Sequence, residues 1–156
     1  MRMFRATADD VPRMIECAKL CCLEHGEAVL GGKLDAKHYE QTWCKLIESG
    51  IGVMFLVEDE TGKIVGGIGG ARYPTLLTGL ERCTQLFVYV RPEYRGRISI
   101  RKLMRELEIW AVEIRAHDIC MPLLKSMPGS TRDVYEKMGY TETETQFRKT
   151  LEPVAT

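Results

Sequence analysis

Apolar residues along the chain recur at two spacings, one typical of strands and the other of helices. Short apolar runs predict six strands, which lie at residues 2–6, 53–57, 63–72, 83–90, 119–121 and 145–151. Apolar positions at helical spacing predict four helices, which extend from Val11 to Cys22, Tyr39 to Ile47, Ile100 to Ile114 and Thr131 to Met138. Thr7 or Asp10 can cap the first helix, and Asp35 can cap the second. The predicted order, β-α-α-β-β-β-α-β-α-β, is a mixed α/β plan.

The strand predicted at residues 63–72 is unusually rich in glycine. It contains Gly66, Gly67, Gly69 and Gly70. Glycine inside a strand often marks a bulge or a place where a ligand or another backbone comes close. We therefore expect one of these features along this strand, and a loop over residues 73–82.

The size and charge of the chain limit the classes of protein to which it can belong. The 156 residues fit one compact domain, residues 1–156. Lys plus Arg and Asp plus Glu number 22 each, so no overall field attracts nucleic acid or an anionic membrane. The sequence shows no secretory signal and no apolar run of bilayer length, which predicts a cytoplasmic protein without a membrane partner. The six cysteines contain no C-x-x-C pair and are predicted to be reduced core residues, and no metal-ligand spacing is present.

The segment from Leu86 to Leu103 carries the first chemical signal. A buried strand there leads through a turn directly into a helix, so unpaired backbone N–H groups and the positive end of the helix dipole converge. Basic residues add positive charge around the turn: Arg95, Arg97, Arg101 and Lys102. Such a turn suits a phosphate group. The same charges also occur on the solvated first turn of an ordinary helix, so spacing alone leaves both interpretations open.

Two motifs resemble those of a known family. The stretch Val90-Arg91-Pro92-Glu93-Tyr94-Arg95-Gly96 is similar to the V-x-P-x-Y-R-G lead-in of the GNAT superfamily of N-acetyltransferases. Downstream, Val134-Tyr135-Glu136-Lys137-Met138-Gly139-Tyr140 resembles the L-Y-E-K-L-G-F segment of the same family. The order of elements matches as well, and Trp110-Ala111 resembles bacterial and phage members. The resemblance implies a central mixed, mostly antiparallel sheet flanked by helices.

The same resemblance implies a binding site for acetyl-CoA. In the family, the strand before the loop binds the pantetheine arm through its backbone, and the matching residues are Val88, Tyr89 and Val90. The pyrophosphate loop, Q/R-x-x-G-x-G/A, falls on six consecutive residues: Arg95, Gly96, Arg97, Ile98, Ser99 and Ile100. Isoleucine replaces both later family glycines. Because isoleucine disfavours positive φ but keeps its N–H, the loop either binds the cofactor with ordinary backbone angles or has lost affinity.

Candidate catalytic residues also follow from the resemblance. Tyr135 matches the tyrosine that protonates the departing thiolate of coenzyme A in many relatives. The family's glutamate base falls near Thr84, which cannot act as a base. Glu81 lies nearby, and Glu24, His25 and Glu27 follow the first helix, where the family's acceptor site lies. Our candidates for the base are Glu81 and His25, and orientation of two bound substrates without a base is the alternative.

The function implied is transfer of an acetyl group from acetyl-CoA to a primary amine, by direct transfer in a ternary complex. The acceptor would be a small molecule or a peptide. A non-catalytic GNAT-fold protein with a degenerate cofactor loop is the first alternative. The second is a homodimeric interaction module, for which we expect an exposed contact patch at Trp43, Tyr73 and Leu76-Leu77.

Overall fold

The computed structural model describes residues 1–26 and 31–151 of the chain. These residues form one sheet of strands β1 (Arg2–Arg5), β2 (Gly52–Glu58), β3 (Ile64–Pro74), β4 (Glu81–Val90) and β5 (Asp118–Cys120). The α-helices are α1 (Ile15–His25), α2 (Ala36–Glu48), α3 (Ile100–Glu113) and α4 (Ser130–Lys137). Two 3-10 helices cover Ala8–Met14 and Pro92–Tyr94. The strands follow one another in chain order, and every pairing is antiparallel except the parallel pairing of β4 with β5.

The mixed α/β fold with a mostly antiparallel sheet is confirmed, but the predicted strand at residues 145–151 is not formed. These residues have no regular secondary structure and are exposed. The segment contains only two large apolar side chains, Phe147 and Leu151, which remain 92% and 78% exposed. It therefore offers the sheet little apolar surface to bury. Within the described residues, β5 forms the outer edge of the sheet.

Capping residues position the first two helices. The Asp10 carboxylate accepts hydrogen bonds from the backbone N–H and the hydroxyl of Thr7, at 3.0 and 3.1 Å. The helical segment begins as a 3-10 helix that contains Pro12, and only after Met14 does it continue as α1. Asp35 caps α2 as predicted, because its carboxylate accepts from the His38 N–H at 3.0 Å.

Apolar side chains form a separate core on each face of the sheet. Helices α3 and α4 cover one face, where Leu103, Leu107 and Tyr135 pack with inward residues of β2 to β4. The other core includes Met14 and Trp43. The expectation that Trp43 marks an exposed contact patch is wrong, since its ring meets Phe87 edge-on at 5.5 Å and is 6% exposed. No helix within residues 1–26 and 31–151 is long and apolar enough to span a membrane.

The glycines of β3 produce the close packing and the irregular register that their number predicts. A Cβ atom on Gly67 would lie 2.7 Å from the Phe55 carbonyl oxygen. A Cβ atom on Gly69 would lie 2.4 Å from the ring of Phe87. The register between β3 and β4 shifts between Gly69 and Gly70, which leaves Leu86 of β4 as an extra residue. The glycines therefore allow adjacent strands and the two cores to pack closely against β3.

We expect Gly67→Ala to lower the free energy of unfolding by about 1–3 kcal/mol, since the added methyl group contacts a backbone oxygen that cannot move away easily. Urea unfolding at an unchanged m value measures this loss. Gly129→Ala is the matched control, because no atom lies within 4 Å of its Cβ position and its φ of −56° is ordinary. An equal loss in both variants would contradict the packing explanation.

Candidate active site

A gap opens in the sheet where β5 separates from β4. The parallel pairing covers only Arg82 to Thr84 of β4, matched with Asp118 to Cys120. Beyond Thr84, the outer edge of β4 faces a cavity of about 300 Å³. Three parts of the chain line the cavity: the end of α1, the end of β4 with its following loop, and the start of α4 with the segment before it. These lining residues are Glu24, His25, Val88, Tyr89, Val90, Arg95, Gly96, Ile98, Ile100, Met127, Pro128, Ser130, Thr131 and Val134.

The loop between β4 and α3 contributes the start of a helix to this cavity. Gly96 has a φ of +85°, whereas Arg115 is the only non-glycine residue of the described chain with a positive φ. Ile98 and Ile100 therefore keep ordinary backbone angles. The N–H groups of Lys102 and Leu103 both donate to the Ser99 carbonyl, so the α3 helix begins directly after Ser99. The amides at this helix start have no intrahelical acceptor, which suits an anionic group.

Arg95 connects this loop to β4 and to α1. Its Nε–H donates to the Val90 carbonyl at 3.0 Å, and a terminal nitrogen donates to the Glu24 carboxylate at 2.5 Å. The guanidinium also lies over the Tyr89 ring, 5.7 Å from its centre. The hydrogen bond from Arg95 holds the pKa of Glu24 below its usual value. Arg95 is thus a positive charge that the protein holds at the edge of the cavity.

His25 also lines the cavity and is the last residue of α1. Its Nδ1 is 2.7 Å from the hydroxyl oxygen of Ser126, which belongs to the segment before α4. This hydrogen bond fixes the orientation of the imidazole ring and leaves the other ring nitrogen, Nε2, for a further contact.

Tyr135 does not line the cavity, although Val134 before it does, and its side chain packs in the core. It is 7% exposed, and its hydroxyl donates to the Pro122 carbonyl at 3.0 Å. Burial raises the pKa of Tyr135 to about 12, so the phenol keeps its proton at neutral pH. In the structure Tyr135 therefore anchors the segment that follows β5.

The remaining predicted site residues lie further from the cavity centre. Glu81 is the first residue of β4, seven positions before Val88, and its carboxylate accepts from Arg72 Nε at 2.7 Å. The structure therefore does not bring Glu81 together with His25. Arg97 packs over the Tyr94 ring at 5.6 Å, and Ser99 is an exposed residue at the start of α3. Glu27 lies outside the described residues.

The arrangement has the features that a long ligand with an anionic end would need. The edge of β4 beyond its pairing with β5 can bind an extended arm through its backbone, and the start of α3 with Arg95 can bind phosphate groups. The imidazole of His25 is a group that can accept a proton nearby. These features together fit a phosphorylated thioester of the coenzyme A type.

Comparison with known families identifies the protein family. A sequence model of the acetyltransferase (GNAT) domain matches residues 50–142, which is more than half of the chain. The chain belongs to the GNAT acetyltransferase family. It is therefore an N-acetyltransferase by family, with acetyl-CoA as its co-substrate. No curated protein sequence matches it significantly.

Solved structures show the same fold at low sequence identity. A predicted acetyltransferase from Clostridium acetobutylicum, crystallised with acetyl-CoA, has a TM-score of 0.75 and 19% identity, covering 96% of this chain and 95% of that one. Glucosamine-6-phosphate N-acetyltransferase from Arabidopsis thaliana has a TM-score of 0.71 and 17% identity, covering 97% and 98%. The acetyltransferase AAC(6')-Iy, bound to the bisubstrate analogue CoA-S-monomethyl-acetylneamine, has a TM-score of 0.71 and 13% identity, covering 97% of each chain.

Sequence reasoning missed the second wall of the GNAT cavity. Met127, Pro128, Thr131 and Val134 line it from the segment before α4 and from α4 itself. Their signal in the sequence was the Pro128-Gly129 turn directly before a helix. That signal could not show that β5 pairs in parallel with β4 and then leaves it, which is what brings these residues opposite β4.

Proposed function

We propose that this GNAT protein transfers the acetyl group of acetyl-CoA directly to a primary amine on a small molecule or peptide. The observation that carries the proposal is the cavity at the β4–β5 gap, which is lined by His25, by Arg95 and by the loop that leads into α3. The bisubstrate analogue bound to AAC(6')-Iy, in which both substrates are joined, supports direct transfer by analogy. Location in the cytoplasm, and one domain over residues 1–156, belong to the same proposal.

In this proposal the residues of the gap bind and orient the co-substrate. Acetyl-CoA supplies the acetyl group as a reactive thioester. The backbone of Val88, Tyr89 and Val90 would hold the pantetheine arm. The loop of Arg95, Gly96, Arg97, Ile98, Ser99 and Ile100 would hold the pyrophosphate, with positive charge from Arg95 and Arg97. Because the N–H groups of Arg95, Arg97 and Ile98 already donate to the carbonyls of Pro92 and Tyr94, the backbone donors would come from Gly96, Ser99 and Ile100.

His25 and Tyr135 would move the two protons of the reaction. When the amine nitrogen bonds to the acetyl carbon, it becomes positively charged and must release a proton, which His25 would accept through Nε2. The carbon–sulfur bond breaks with its electron pair on sulfur, and the resulting thiolate needs a proton. Tyr135 would supply it, after its hydroxyl exchanges the Pro122 carbonyl for the sulfur. The phenolate would then recover a proton through solvent as His25 releases the one it took from the amine.

Tyr135→Phe separates the two roles of this hydroxyl. We expect kcat to fall about 10- to 100-fold if the phenol donates the proton. We also expect the loss of the bond to Pro122 to lower unfolding free energy by about 1 kcal/mol. Thiol release measures the first effect and thermal unfolding the second. An unchanged kcat with lowered stability would leave Tyr135 with only its anchoring role.

The direct test is thiol release from acetyl-CoA with a panel of amines: spermidine, glucosamine 6-phosphate, an aminoglycoside and peptides with a free N-terminus or lysine. We expect at least one amine to raise the rate well above that of acetyl-CoA alone. Ping-pong kinetics with release of coenzyme A before the amine binds would contradict direct transfer. No stimulation by any amine would contradict the proposed function.

A further inference from the structure

A hydrogen bond joins the segment before α3 to the turn between β2 and β3. The Tyr94 hydroxyl donates to Oδ2 of Asp59 at 2.9 Å, across 35 positions of the chain. Because the acceptor is a carboxylate, this bond is charge-assisted and stronger than one between neutral groups. The same bond raises the pKa of Tyr94 above its usual value, so the phenol keeps the proton that it donates. Neither residue lines the cavity, so the bond can affect ligand binding only through the loop that Tyr94 precedes.

The turn between β2 and β3 fixes the Asp59 carboxylate. Its other oxygen, Oδ1, accepts hydrogen bonds from the backbone N–H groups of Thr61 and Lys63, at 2.9 and 3.1 Å. It also accepts from the Thr61 hydroxyl at 2.6 Å. The bonds from Thr61 and Tyr94 hold the pKa of Asp59 well below its usual range, so the carboxylate stays charged at neutral pH. Asp59 is therefore a fixed acceptor that the turn presents to Tyr94.

Tyr94 in turn organises the cofactor loop, Arg95 to Ile100. Its carbonyl accepts from the N–H groups of Arg97 and Ile98, at 3.1 and 3.2 Å, so the chain folds back on Tyr94 before α3 begins. Its ring lies against the Arg97 guanidinium, with 5.6 Å between the guanidinium carbon and the ring centre. This contact is a cation–π interaction. The path of the loop and the position of one of its positive charges therefore both depend on Tyr94.

We propose that Asp59 and Tyr94 are positioning residues for acetyl-CoA, which hold the cofactor loop in the conformation that binds the pyrophosphate. This inference rests on the proposed function, in which this loop contacts the pyrophosphate. A loop already held in its bound conformation loses less conformational freedom when the ligand binds, so the affinity is higher. Since neither residue reaches the cavity, the bond contributes to the affinity for acetyl-CoA and not to the chemical step.

Tyr94→Phe tests the proposal, because it keeps the ring against Arg97 and removes only the hydroxyl. We expect the Kd for acetyl-CoA in calorimetry to rise about 3- to 10-fold, which is the value of one hydrogen bond. In thiol release with the best amine of the panel, the KM for acetyl-CoA should also rise. The kcat and the KM for the amine should change less than twofold.

Thr61→Val is the matched control. It removes the hydroxyl bond to the same carboxylate, but the backbone N–H groups of Thr61 and Lys63 and the bond from Tyr94 remain. Both variants thus remove one hydrogen bond from Asp59, and only Tyr94→Phe releases the loop. We expect Thr61→Val to bind acetyl-CoA as the wild type does. An equal rise in Kd in both variants would assign the effect to a loosened turn and overturn the proposal.

The other outcomes separate this inference from the function it rests on. Wild-type protein that binds acetyl-CoA, with an unchanged Kd in Tyr94→Phe, would overturn the role of the Tyr94–Asp59 bond alone. A lower kcat with unchanged acetyl-CoA affinity in Tyr94→Phe would assign the hydroxyl to the chemical step and also overturn the proposal. Wild-type protein that does not bind acetyl-CoA would overturn the proposed function and this inference together.

Discussion

Arg95→Ala is expected to weaken acetyl-CoA binding about 10- to 100-fold, the loss of one to two charge-assisted hydrogen bonds to a diphosphate. The structure adds a second reason for a large effect. Arg95 holds the loop to the Val90 carbonyl and neutralises Glu24, so its removal leaves a carboxylate unpaired at the edge of the proposed pyrophosphate site. Calorimetric titration with acetyl-CoA measures the change.

Two further variants test this reasoning. Arg105→Ala removes an exposed arginine from α3 and should leave the affinity unchanged. In the double variant Arg95→Ala with Glu24→Gln, we expect part of the affinity to return, because the unpaired negative charge is gone. Equal affinity in wild type and Arg95→Ala would mean that the cavity edge at Arg95 does not bind the pyrophosphate.

His25→Gln is expected to lower kcat by about 100-fold or more, with little change in acetyl-CoA affinity, since glutamine can keep a hydrogen bond to Ser126 but cannot accept a proton. The measurement is thiol release with the best amine.

The control for His25 is His117→Gln, an exposed histidine outside the cavity. Its kcat should equal that of the wild type. If His25→Gln is as fast as the wild type, orientation of the two substrates alone accounts for the rate, or another group accepts the proton. Glu81 then becomes the next candidate to replace, although its bond to Arg72 and its place at the start of β4 separate it from the cavity.

Local chemistry explains why most of the fold could be predicted. Asp35 caps α2 through a hydrogen bond with His38, which is close to it in sequence. The glycines of β3 indicate close packing whichever strand lies beside them. The strand predicted at residues 145–151 depends instead on an edge to pair with and apolar surface to bury. Phe147 and Leu151 are the only large apolar residues of that segment, and they could not supply either condition.

The candidate site also has one half that could be predicted from the sequence and one half that could not. The half that is proposed to bind phosphate lies in one continuous segment, so the strand, the turn with Gly96 and the helix could be found together in the sequence. The other half joins His25, Ser126 and Val134, which come close only because β5 separates from β4. Trp43 is buried against Phe87 of β4, so its burial depends on how α2 packs on the sheet.

The central claim is that the gap between β4 and β5 binds acetyl-CoA despite isoleucine at both later glycine positions of the loop. Ile98 and Ile100 keep ordinary backbone angles, and Ile100 begins α3, where the first amides have no intrahelical acceptor. Calorimetric titration of the wild-type protein with acetyl-CoA and with free coenzyme A tests this directly. We predict one site with a Kd in the micromolar range for acetyl-CoA. No detectable binding at millimolar concentration would contradict the account.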